Sequence, residues 1–407
     1  MKSKKEQTKV IVPTDKNNNP TYLSSIQGKI LTADQGIEST FKPFETPILV
    51  SANLKYNTDN VELEMKRKNV AVYSAQTYND TSKNNSASNL EQVFKALDNG
   101  KGSEAFRTQA AYIQQTQSSQ IFATTLDTLS GQIYASSQAL TFQQSQSINK
   151  DLSNRLALLG SMPNNNTGLW FNGTASTGRL YESGYAEADT SLYGGQIGAD
   201  RTFYDKFIAG AVFSFSDSKA DFDKSAGKSK SQNLGLSLYG RYGDENDSFY
   251  TLGRIGGARV SNNVKRELIL GSYKKSLSTD TNDFVLSGYG EAGYKFKTSP
   301  NFSITPFAGL SYDRVNRGSF SEDDSYFGLK ADSTTYSQAS GLLGVRAEGT
   351  FNWAAGKSKV LGYLSWQTAF NNEDLSFDAS YTGLPDEKFK VKGVSLAKNS
   401  AWTGVGI

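Results

Sequence analysis

Cysteine and histidine are both absent from this sequence of 407 residues. Without cysteine there is no disulfide framework and no thiolate metal site. Without histidine the chain alone cannot assemble a Ser-His-Asp or Cys-His apparatus, nor a histidine-ligated zinc. No catalytic residue, metal ligand or cofactor is therefore expected. Long apolar runs are missing too: nothing approaches the roughly 18–20 residues of a transmembrane helix, and mean hydropathy is −0.50. An excess of one charge is also lacking. Lysine and arginine number 43 against 40 acids, a net charge of +3, so no nucleic-acid partner is indicated. The basic start, Met1-Lys2-Ser3-Lys4-Lys5-Glu6, is followed only by the short apolar patch Val10, Ile11, Val12. A secretory signal needs an apolar core of about 7–15 residues, so none is expected here, and the sequence reads as the tail of a longer protein.

What is present is alternation, from Trp170 to Ile407. In Phe207–Phe215 one parity is Phe, Ala, Ala, Phe, Phe and the other Ile, Gly, Val, Ser. Leu234, Leu236 and Leu238 alternate with Gly235, Ser237 and Tyr239, and Ala339–Glu348 repeats the pattern. Residues two apart share a face of a strand, so each segment has one apolar and one small or polar face. A soluble sandwich alternates as well. Three features favour a membrane barrel instead. Strands of about ten residues suit a tilted span of the hydrocarbon layer. Aromatics gather near strand ends, at Trp170, Phe171, Tyr181, Phe203, Tyr204, Tyr242, Phe249, Tyr250, Tyr294 and Phe296, as an interfacial girdle would. Tight turns near residues 204–206, 243–247, 298–301 and 354–357 also interleave with long polar loops expected at Ser216–Gln232, Ser261–Asn282 and Asn316–Tyr336. The low hydropathy is then no objection, because half of each strand faces a polar lumen.

Ahead of this region, residues up to about 70 read as β-rich. Ile48–Tyr56 and Val61–Lys66 are two strands, too few to bury a core alone. A helix follows with Leu90, Val93, Phe94 and Leu97 at helical spacing and Asn89 as its cap. A second helical zone runs from about Gln115 to Leu159. Between Ser136 and Ser147 it is mostly Ser, Gln and Thr, poor material for a core-facing helix. Such a helix can fill a wet lumen, with Gln138, Gln143, Gln144, Asn149 and Arg155 facing the wall; an exposed linker helix is the alternative. Residues 163–168, from Pro163 to Gly168, then break it.

The order of these elements resembles the C-terminal part of an autotransporter of the type V secretion system. Asn53–Leu63 is similar to the closing strands of passengers. Thr128-Leu129-Ser130-Gly131-Gln132-Ile133-Tyr134-Ala135 resembles the recurrent Leu-Ser-Gly-Glu-Ile-Tyr-Ala of the linker. Phe377–Pro385 with Phe389–Gly393 resembles the segment before the tenth strand. The resemblance implies a mainly β fold: a transmembrane antiparallel barrel (residues 164–407), preceded by a helical linker (71–163) and a short β remnant of the passenger (1–70). It implies an outer-membrane translocator that anchors and exports its own passenger. Its partners would be outer-membrane lipid, the barrel-assembly machinery and periplasmic chaperones. Family members have twelve strands; about nine full strands are countable here, with Asn399–Ile407 starting a tenth, so the closing strands are expected to be missing. A surface adhesin anchor, or the tail of a serine protease whose catalytic part lies upstream, are the alternative readings.

Some members cut themselves at an asparagine pair in the lumen helix. Here Asn149 and Asn154 are separated, and an ordinary polar helix surface is the simpler reading. Gly288-Tyr289-Gly290-Glu291-Ala292-Gly293 fits a dinucleotide fingerprint in letters only, since it lies inside a strand rather than between strand and helix. The charges Arg241, Glu291, Arg346 and Glu348 fall on the lumen parity, where pairing across the pore is expected rather than an acid–base couple.

Overall fold

The computed structural model describes residues 14–41, 44–159, 168–204, 206–243, 248–353, 356–371 and 374–406. The basic N-terminal run, the break over residues 163–167 and parts of three tight turns lie outside them. Three strands come first: β1 (Ser25–Thr32), β2 (Val50–Tyr56) and β3 (Asn60–Arg67), in the antiparallel order β1-β3-β2. Five helices follow: α1 (Val70–Thr77), α2 (Thr81–Asp98), α3 (Glu104–Gln114), α4 (Ser119–Leu129) and α5 (Gln132–Leu159).

The remaining strands are β4 (Gly168–Leu180), β5 (Ala188–Phe203), β6 (Phe207–Phe222), β7 (Gly227–Tyr242), β8 (Phe249–Leu270), β9 (Tyr273–Tyr294), β10 (Phe296–Ser299), β11 (Phe302–Arg317), β12 (Phe320–Ser321), β13 (Leu329–Ala331), β14 (Thr334–Trp353), β15 (Gly356–Ala369), β16 (Ser376–Tyr381), β17 (Leu384–Lys392) and β18 (Asn399–Gly406). Ten of them form one antiparallel sheet in the order β18-β15-β14-β11-β9-β8-β7-β6-β5-β4, with β10 continuing the line of β9 beside β11. Nearest neighbours in sequence are neighbours in the sheet, a meander with two short insertions. Among the described residues β4 and β18 do not pair, so the sheet curls without closing. β12, β13, β16 and β17 make a separate four-stranded sheet.

The alternation has the sense expected of a membrane wall. Leu236, Leu238, Leu310 and Leu343 are each 60–67% exposed on the outside. Their neighbours Ser237, Arg254, Asp313 and Arg346 are buried inside. Apolar side chains exposed in a continuous belt are stable only against another apolar phase.

The strands are longer than expected. β8 and β9 have 22 residues each, about 70 Å along the strand, against a hydrocarbon layer of about 30 Å. The segments expected as polar loops at Ser216–Gln232 and Ser261–Asn282 are therefore ladder, not loop. Their inward parity turns apolar at the far end, with Val260, Val264, Leu268, Leu270 and Leu277. This lining shares one core with Leu90, Phe94, Phe122 and Leu126 of the helices, Phe377 and Tyr381 of the small sheet and Phe327 of the β12–β13 connection. The upper lumen is thus filled mainly by an apolar core, and the lower lumen is lined by polar side chains.

The helical region also departs from expectation. Asn89 does not cap α2; Asp80 does, accepting from the Lys83 backbone N–H at 3.0 Å. Asn89 lies mid-helix and donates to the Lys390 carbonyl at 3.1 Å. The long zone after Gln115 is two helices, α4 and α5, split where Gly131 takes φ +62°. A Cβ there would lie 2.3 Å from the Leu329 Cδ1. Gly131→Ala is expected to cost about 1–2 kcal/mol for the left-handed backbone, read as a lower urea midpoint for the helical cap. β1–β3 dock on the helices: Arg67 pairs with Glu91 at 2.9 Å and Asp98 at 2.6 Å, and Gln114 exchanges hydrogen bonds with both backbone groups of Leu23.

Asp80 also receives Lys83 at 3.1 Å and Lys224, from the β6–β7 tip, at 3.2 Å. Burial opposes its ionisation, but the Lys83 N–H and the two ammoniums hold its carboxyl below the ordinary value. A depressed carboxyl contributes stability that is complete above the unfolded pKa and lost as pH falls through the folded one. The advantage of wild type over Asp80→Asn is expected to fade below about pH 4, which urea midpoints on either side of that pH would show.

Candidate functional site

α5 runs down the concave side of the ten-stranded sheet, and every strand of that sheet reaches it. At its upper end the Gln132 side-chain oxygen accepts from Ala186 N–H at 2.9 Å, and the Tyr134 hydroxyl meets Glu322 at 2.7 Å. Gln138 donates to Asp283 of β9 at 3.0 Å. Gln144 donates to Ser216 of β6 and accepts from Asn233 of β7 at 3.3 Å. Ser145 bonds Asp313 of β11, and Gln146 donates to Gln338 of β14 at 3.0 Å. Asn149 accepts from Arg254 of β8. The Lys150 ammonium reaches Gln367 of β15 at 3.4 Å and sits 2.9 Å above the Trp402 ring of β18. Asp151 accepts from Thr174 of β4 at 2.7 Å, and Arg155 donates to Asp200 of β5 at 2.9 Å while stacking on Trp170.

The lowest turn of this cage holds its densest polar cluster. The Arg346 guanidinium grips Glu291 through two bonds of 2.6 and 3.0 Å. Glu291 also accepts from Tyr250 at 2.7 Å, Tyr289 at 2.5 Å and Ser153 of the helix at 2.6 Å. Arg346 in turn donates to Ser153 at 2.6 Å and Asn154 at 3.2 Å. A buried ion pair needs its remaining lone pairs and protons satisfied, and here the helix satisfies several of them. A chain segment held from all sides by polar contacts inside an apolar-coated wall is a plugged conduit.

Residues 169–407 match the family profile described as autotransporter beta-domain. The chain belongs to that family. Outer membrane protein A of Rickettsia conorii is 27% identical over 237 residues, covering 55% of this chain and 11% of that protein. The extracellular serine protease of Serratia marcescens is 22% identical over 289 residues, covering 69% of this chain and 27% of that protein. The chain thus spans about a tenth to a quarter of the length of these curated relatives. Among solved structures, the translocator domain of autotransporter NalP from Neisseria meningitidis superposes with a TM-score of 0.52 at 17% identity. It covers 67% of this chain and 96% of that one, a likeness of fold.

Within the autotransporter β-domain, the residues expected to matter are distributed unevenly. Gln138, Gln144, Asn149 and Arg155 face the wall and bond it, as above. Gln143 does not: it is exposed, in a cavity at the gap between β4 and β18 lined by Arg179, Gln338 and Trp402. The helical turn that aims Gln144 at β6 and β7 aims its neighbour at the unpaired edges. Glu291 and Arg346 pair with each other. Arg241 is buried against Tyr250 and donates to the Gly243 carbonyl. Glu348 lies at the short-turn end beside Lys295 at 3.2 Å and Lys359 at 4.0 Å. Asp200, Arg254, Asp283 and Asp313 were not singled out from the sequence. Each falls on the polar parity of its strand, a signal that was available.

The autotransporter β-domain places this wall in the outer membrane of a Gram-negative cell. From its N-terminus, α5 carries the chain down from the end where β1–β3 and α1–α4 sit to the short-turn end. Asn149 and Asn154 are both held by arginines on their side-chain oxygens.

Proposed function

We propose that residues 164–407 anchor in the outer membrane and export the chain attached at their N-terminal side, with residues 71–163 as linker and 1–70 as the last part of the passenger. The observation that carries this reading is the path of α5, which threads the polar hollow and is touched by all ten strands. The mechanism is steric and electrostatic: a polar lining tolerates an extended polypeptide while the belt stays in lipid. No covalent step is needed, and the domain acts without being an enzyme. Insertion of such a wall calls for the barrel-assembly machinery, and transit of an unfolded barrel through the periplasm for chaperones.

A catalytic passenger is the second reading, favoured by the Serratia relative; a serine-protease triad would need a histidine, which residues 1–407 lack. An adhesive passenger fits the same wall. The test is an epitope inserted in the β2–β3 turn at Thr58, in a chain expressed with its full upstream and downstream sequence. Added protease is expected to remove the epitope from intact cells. An epitope protected until the cells are lysed would overturn export.

A further inference from the structure

The outward wall above the apolar belt carries a set of exposed cations. On β6, β7, β8 and β11 the parity carrying Phe215, Leu234, Ile255 and Tyr312 continues past the belt into Lys219, Lys230, Arg259 with Lys265, and Arg314, all five exposed. Lys219 stands directly opposite Lys230 on one face, an arrangement that destabilises an antiparallel pair. The acids on this face do not relieve it. Asp217 accepts from Gln232 at 3.0 Å, Asp280 from Asn263 at 2.8 Å, Asp221 pairs with Lys228 at 2.8 Å and Asp189 with Arg179 at 3.2 Å, while Glu267, exposed two residues beyond Lys265, makes no ion pair with it among the described residues. None of the five cations has an ion pair among the described residues. Two of them sit at the belt's edge. Arg259 faces Phe284 across the ladder and is steadied by the Asn282 oxygen at 3.0 Å; Arg314 faces Leu286. By strand spacing the two lie on the order of 12 Å apart, astride one apolar strand.

We propose that this face binds a multiply phosphorylated lipid of the outer leaflet. Its acyl chains lie along Phe284, Leu286 and Tyr312, its nearer phosphates meet the forks of Arg259 and Arg314, and groups further out meet Lys230 and Lys219. Arginine forks match phosphate oxygens in pairs, and lysine serves as a point charge. Charge complementarity selects an anion, and the apolar residues directly beneath the two arginines select one that carries acyl chains. A soluble polyanion would have no use for that adjacency.

The inference rests on the belt lying in lipid, and the experiment separates the two. The full chain is folded in zwitterionic micelles and offered bis-phosphorylated lipid A or its dephosphorylated form. Retained lipid is counted by mass spectrometry after gel filtration. The phosphorylated form is expected to be preferred, and the preference to drop about fivefold for each cation removed in K219Q/K230Q/R259Q/R314Q. K274Q/K275Q, changed at the hairpin tip away from the belt, keeps it. If the fourfold variant does not fold, R314Q alone is expected to lose about fivefold. Equal retention of both lipids by a chain that folds, or complete displacement of the phosphorylated lipid by heparin, overturns the site and leaves the belt standing. A chain that forms no boiling-sensitive folded species in micelles overturns both.

Discussion

Arg346→Met is expected to lower the stability of the folded wall by about 3–5 kcal/mol, because it strands a buried carboxylate. The partners are 3% and 0% exposed at their side chains, so water cannot replace the lost guanidinium. Tyr250, Tyr289 and Ser153 still donate to Glu291, but neutral donors do not cancel a charge in a low-dielectric site. Removing both charges, as R346M/E291M, is expected to recover most of the loss. What remains is about 1 kcal/mol for each hydroxyl left without its acceptor. Urea midpoints of the boiling-sensitive folded band measure both. If the double variant falls as far as the single one, charge compensation is not what holds the lower lumen, and packing of Arg346 over Phe307, 3.7 Å from its ring, takes its place as the explanation.

That pair was partly legible from sequence, and the reason is geometric. A strand sorts its side chains with a period of two, so parity alone placed Glu291 and Arg346 inside and Leu236 and Leu238 outside. Which inward residues meet depends on register and on the rotation of α5, and neither is encoded in spacing. Gln143 and Gln144 show it: adjacent glutamines of equal polarity point to the gap and to the wall. The strand tips were misread for a related reason. Segments such as Ser216–Gln232 carry polar side chains outward because they stand in water, and polarity was taken for loop. Their inward apolar residues, Ala220, Phe222 and Ala226, fit a strand in water backed by a core. The helices α1 and α3 were missed because they are short, of 8 and 11 residues, and their stability comes from docking rather than from their own periodicity.

Glu322→Gln is expected to open the cap while leaving the wall intact. Glu322 lies between β12 and β13, and Arg266 stands on β8 beyond the belt. Their side chains are 0% and 2% exposed and joined at 2.5 and 2.7 Å. Three separate elements converge on this pair: Tyr134 of α5 donates to Glu322 at 2.7 Å, the Leu329 N–H donates at 2.7 Å, and Arg266 donates to the Thr128 carbonyl at the end of α4. The glutamine keeps the shape and part of the hydrogen bonding but leaves Arg266 a buried cation without a counter-charge, a loss of about 3–5 kcal/mol. The cost falls on contacts of the cap, and elements of unequal stability open separately. Limited proteolysis between Gly318 and Ala331 should therefore accelerate, by roughly a hundredfold or more if opening governs cleavage, with the boiling-sensitive band unchanged. By contrast, Lys388→Gln removes an exposed partner of Asp332, 62% and 80% open to solvent, and is expected to change the rate little. Equal rates for wild type and Glu322→Gln would mean that the apolar contacts of Phe327, Phe377 and Tyr381 hold the cap without the buried pair. Loss of the folded band instead would mean that cap and wall unfold as one unit.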